Sequence, residues 1–186
     1  MQRALATVIV LAVLAGATML RASAETDVAI PKRFGNLGER VKEYYRLEQK
    51  EKWDQTWTFR VPLYRKTVPK DTYVREMQKG SRGWQLNSFH IGKVSEDGPC
   101  VLLSIKFVET PPKDYYSAQG LPAISELSIA DDSRWERIDG VWQAWETGSR
   151  MHLPLNSAVV APNQSLQGRP STCGGRRPEL TRSVAR

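Results

Sequence analysis

The sequence predicts an α+β domain, and three observations carry that expectation. Apolar residues recur at helical spacing over residues 38–80, strand-like runs fill 84–146, and Asp139-Gly140 stands between two such runs. Helices that precede a meandering antiparallel sheet pack on one of its faces. The full expectation is of N-terminal helices on a curved, cone-like antiparallel sheet, placed after a signal peptide and before a disordered tail.

The first helix is expected over residues 38–51. Leu37, Val41, Tyr44, Tyr45 and Leu47 form its apolar stripe, and Glu39, Arg40, Lys42 and Glu43 take the other side. A second short helix starts near Trp53, with Trp57 one turn on, and is expected to stop at Pro62, because proline lacks an amide donor and disfavours helix at the residue before it. A third opens at Pro69-Lys70-Asp71, where proline and an acidic group suit the first turn, and stops at Gly80.

Strands are expected over 84–94 and 100–109, joined by a turn at 95–99. Three prolines and a glycine make 110–122 a loop. A third strand lies near 124–129. Residues 134–138 and 141–145 then pair across Asp139-Gly140, a turn whose two central residues need positive φ.

The N-terminus gives the compartment. A cationic Met1-Gln2-Arg3 head, an uncharged run of 17 residues from Ala4 to Leu20, and Ala22-Ser23-Ala24 make a signal peptide cut after Ala24. The run falls short of the ~20 residues that span a bilayer, so export to the periplasm or medium is favoured over a single inner-membrane span. The layout is then a signal peptide over 1–24, a linker over 25–36, a domain over 37–156 and a basic tail over 157–186. Pro162, Pro170, Pro178 and paired glycines give that tail the composition of disorder.

The net charge of +7 comes from the ends. Residues 25–156 carry 20 Lys and Arg against 19 Asp and Glu, and the tail adds five arginines against one acid. A near-neutral domain lacks the basic face that nucleic acid requires, so no nucleic-acid partner is expected. Cys100 reads as a small buried strand residue and Cys173 as a tail thiol without a fixed partner. Two histidines and two separated cysteines make no zinc site, no phosphate loop or nucleophile motif is present, and no metal or cofactor is expected.

The order of elements, with Tyr44-Tyr45-Arg46-Leu47, Lys52-Trp53-Asp54 and the hairpin from Trp135 to Trp142, resembles the nuclear transport factor 2-like superfamily over residues 37–147. That resemblance implies a pocket between sheet and helices, and the family includes ketosteroid isomerase and polyketide cyclase-like enzymes as well as domains without catalysis. Isomerase chemistry needs a carboxylate base near a carbonyl-activating tyrosine. The catalytic candidates are Tyr44, Asp54 and His90, and the ligand-binding candidates are Tyr45, Trp57, Trp84 and Trp142. Each has a structural reading too: tyrosines and tryptophans as core bulk, Asp54 as a helix cap, His90 as a strand histidine.

The function expected is that of an exported, non-enzymatic domain that binds a small apolar molecule or an envelope protein. A homodimer through the sheet is a further expectation, and membrane contact follows only if the leader is retained. The alternatives are a polyketide cyclase-like isomerase or lyase acting on a small hydrophobic substrate, and an N-terminally anchored envelope-assembly component.

Overall fold

A computed structural model describes residues 27–148, 150 and 152–155. The expected signal peptide and the whole of the expected tail lie outside the described residues.

Among the described residues the chain is α+β, with four α-helices followed by a four-stranded antiparallel sheet. The helices are α1 (Leu37–Gln49), α2 (Trp53–Thr56), α3 (Pro62–Thr67) and α4 (Lys70–Ser81). The strands are β1 (Gln85–Asp97), β2 (Cys100–Thr110), β3 (Leu127–Ile138) and β4 (Val141–Thr147), neighbours in chain order. No helix among the described residues is long and apolar enough to cross a membrane.

Helix α1 buries Leu37, Val41, Tyr44, Tyr45 and Glu48, one stripe along the helix. The stripe packs on alternate residues of β2, namely Val101, Leu103, Ile105 and Phe107, with Trp135 and Ala144 from β3 and β4. A second apolar cluster lies among the shorter helices, where Trp53, Val61, Tyr64, Tyr73 and Met77 gather with Leu153 from beyond β4.

Several elements depart from the sequence expectation. The helical segment that starts at Trp53 ends at Phe59, short of Pro62 as expected, but Pro62 also opens a helix not expected from the sequence: it sits at the start of α3, where its missing amide costs no hydrogen bond, and the preceding Val61 is extended (φ −58°, ψ 153°). The expected break between 129 and 134 does not occur. Residues 127–138 form one strand, because β2 pairs with β3 from Leu127 to Glu136, and this ladder holds Asp131 and Asp132 extended against their weak strand preference. The first hairpin is tighter than expected, with Asp97 opposite Cys100 and only Gly98-Pro99 between the strands.

Asp139 and Gly140 both take positive φ (50° and 80°), as the expected turn requires. Cys100 is not a free buried thiol: it is disulfide-bonded, in a chain that holds two cysteines. Within the expected linker, Val28 donates its amide to Ile91 O (2.8 Å), and Phe34 joins the main core.

Candidate functional site

The sheet's inward row on β2 ends in a carboxylate. Val101, Leu103, Ile105 and Phe107 are followed at the same alternation by Glu109, which is fully buried. On α1 the buried stripe likewise ends in a carboxylate, Glu48. The two elements thus bring two acids into one interior.

The segment after β4 supplies their counter-charge. Arg150 is 2% exposed; its Nε lies 2.9 Å from Glu109 Oε1 and its Nη1 3.8 Å from Glu48 Oε2. The contact to Glu109 is an ion pair by distance, but neither Arg150 Nε nor Nη1 nor either Glu109 oxygen makes an aligned hydrogen bond within the protein. Glu48 is held better, accepting the Tyr44 hydroxyl at 2.6 Å. Tyr45 donates its hydroxyl to Thr147 O at 2.8 Å, and Arg60 donates to Thr147 Oγ1 and Trp145 O, both at 2.9 Å.

His152 closes the cluster. Its ring lies flat on Trp84, 4.1 Å between centroids and 2° between planes, with Nε2 3.9 Å from Glu109 Oε1. Two glycines admit this segment. Gly148 has φ +74°, and a Cβ there would stand 2.9 Å from the Phe107 ring. A Cβ on Gly80 of α4 would collide with the His152 carbonyl.

Burial sets the protonation of the cluster. Desolvation pushes the Glu109 carboxyl above its ordinary range, the Arg150 cation pulls it back, and Glu48 raises it again. Desolvation, with the Arg150 cation second, takes the His152 imidazole down to about 3, so the ring is neutral at pH 7. Tyr44 and Tyr45 are pushed well up, first by burial and then by the Glu48 charge, and remain phenols.

Of the expected site residues, the structure brings Tyr44, Tyr45 and Trp84 to this cluster. Asp54 is exposed on α2. His90 lies on β1 with Nδ1 3.9 Å from Asp27 Oδ1, a carboxylate already bound by Lys42 and by the Ile91 amide. Trp57 donates its indole N–H to Val68 O, and Trp142 to Phe34 O, so each ties backbone together at another part of the fold. The residues missed were Glu48, Glu109, Arg150 and His152. The first two carried a signal, an acid on an otherwise apolar stripe; the last two follow the final strand, where no periodicity places them.

Among the described residues no group of three or more His, Cys, Asp or Glu is arranged to hold a metal ion. What the cluster can do chemically is bind a cation through two carboxylates and hold a neutral imidazole beside an acid of raised pKa.

No protein-family model matches the sequence, and no curated protein matches it. Among solved structures, the chain is similar to a SEC-C motif containing protein from Rhodopseudomonas palustris, determined in solution. The identity is 12% and the TM-score 0.42, over 56% of this chain and 71% of that one.

Proposed function

We propose that the chain is an exported, non-enzymatic domain of the cell envelope that binds a protein partner, built as a cone-like member of the nuclear transport factor 2-like superfamily. One observation carries the choice of a partner over an interior ligand. The space between α1 and the sheet is occupied by side chains: Tyr44, Tyr45, Phe107 and Trp135 are fully buried and meet ring to ring, with centroids 5.0–6.0 Å apart. Binding therefore falls to the surface. Tyr115, Leu121 and Ile124 in the connection between β2 and β3 are among the exposed large apolar residues, and such residues mark interaction sites when they cluster.

Export is supported by the N-terminal pattern and by the disulfide at Cys100, a bond that persists in oxidising compartments. The test is site-specific photocrosslinking from position 121 in cells that express the full chain. One discrete adduct, lost when Leu121→Ser and Ile124→Ser are introduced with crosslinking moved to position 118, supports the reading; no adduct, or one indifferent to those changes, rejects it.

A second reading draws on Glu109. A buried acid of raised pKa in the same interior as tyrosine hydroxyls is the equipment of an isomerase or lyase on a small hydrophobic substrate. Arg150 and His152 cover that acid, which favours the binding reading. The anchored assembly role requires the leader to remain attached, and the mass of the mature N-terminus decides it.

A further inference from the structure

The two interior carboxylates converge on one group, and that group arrives from neither of the elements that carry them. Glu48 belongs to α1 and Glu109 to β2, and both are buried in the packed body of the domain. The guanidinium between them belongs to Arg150, beyond the last strand, joined to β4 through the positive-φ Gly148. Aromatic rings crowd this region: Tyr45 and Phe107, with ring centroids 5.3 Å apart, both lie at Gly148, and the Trp84–His152 stack lies at Glu109.

The slot between the two acids fits a guanidinium better than an ammonium. Its acids lie nearest different nitrogens of one plane, Nε for Glu109 and Nη1 for Glu48, a reach that a compact ammonium lacks. His152, 7% exposed at its side chain, faces Glu109 with neither ring nitrogen hydrogen-bonded within the protein. Polar capacity in the slot thus exceeds what Arg150 uses.

We propose that the slot between Glu48 and Glu109 is a guanidinium-binding site, filled in this chain by its own Arg150 and able to take an alkylguanidinium supplied in trans when that side chain is missing. The ligand class is a guanidinium on a short alkyl stem, the group that Arg150 itself presents. The proposal is independent of where the protein resides and of whether it has a surface partner.

Ethylguanidinium supplies the atoms that Arg150→Ala removes. Thermal unfolding of the full chain carrying R150A is followed against ethylguanidinium, with ethylammonium at equal ionic strength as the comparison. The expected result is a saturable rise in Tm for R150A, roughly 5 °C at ten times the dissociation constant. Ethylammonium should give no such rise, and neither should the R150A/E109Q double variant nor the wild-type chain, whose slot is full. Equal responses to both cations, no response, or an unchanged response in the double variant would overturn the proposal. Should R150A not fold unaided, the same titration is run as refolding from urea: recovery with ethylguanidinium alone supports the site, and equal failure with both cations overturns it.

Discussion

Arg150 Nε stands 2.9 Å from Glu109 Oε1, and both side chains are all but excluded from solvent. This pair fastens the segment after β4 onto the middle of the fold. Taking two charges out of water costs several kcal/mol per ion, and the pair recovers this only while both members are present. Arg150→Met alone therefore leaves two interior acids facing an apolar group and is expected to cost about 3–5 kcal/mol, as is Glu109→Leu. The double variant should be far less destabilised than the sum. A urea-denaturation cycle measures this, and a coupling energy near zero would mean that the pair holds nothing together.

The acid side of the stability curve should carry the signature of His152. Its folded pKa is depressed to about 3 from the ordinary 6.5, so the unfolded chain binds the extra proton between those values. The contribution is complete above about pH 6.5 and is lost as pH falls toward 3, at up to about 1.4 kcal/mol per pH unit. Glu109 works in the opposite sense: its raised pKa gives a contribution present below its ordinary value of 4.5 and lost as pH rises through that range. His152→Gln should therefore flatten the wild-type dependence between pH 6.5 and 4 while leaving the Glu109 trend in place. Parallel wild-type and variant curves would refute the assignment.

Gly148, just beyond β4, is expected to tolerate replacement less well than Gly140 of the last hairpin. Gly148→Ala imposes a side chain on a residue at φ +74° and drives a Cβ to 2.9 Å from the Phe107 ring. The backbone cost alone is about 1–2 kcal/mol, and the collision adds to it because Phe107 is fully buried. Gly140→Ala, where a Cβ meets nothing within 4 Å, should show the backbone cost only. Melting curves of the two variants should rank them in that order.

The disulfide at Cys100 predicts a covalent result. The non-reduced protein should therefore resist alkylation at Cys100 and accept it only after reduction, which a digest and peptide mass read directly. Reduction should lower stability by about 2–4 kcal/mol. A monomer with two titratable thiols, isolated from an oxidising compartment, would contradict this.

How far the sequence determines the fold is visible residue by residue. Leu37, Val41, Tyr44 and Tyr45 mark α1 because a buried helix face repeats its apolar residues, and Asp139-Gly140 marks the last hairpin because few residue pairs take positive φ twice. Pro62 is ambiguous by nature: the property that ends one helix begins another. Asp131 and Asp132 hide a strand because cross-strand pairing outweighs local preference. In the site, Tyr44, Tyr45 and Trp84 were legible as bulky groups at patterned positions. Glu48 and Glu109 lie on the same patterns, at places where charge is least expected, and their meaning depends on Arg150, which chain topology alone brings to them.

Native mass spectrometry of the full-length chain, expressed with its own leader and recovered from the cell envelope, tests the central claim most directly. The expected result is a soluble species that begins at Glu25, carries the disulfide at Cys100, and travels with the releasable mass of a partner protein. A species that retains Met1, leaves the envelope only in detergent and carries no partner would contradict it.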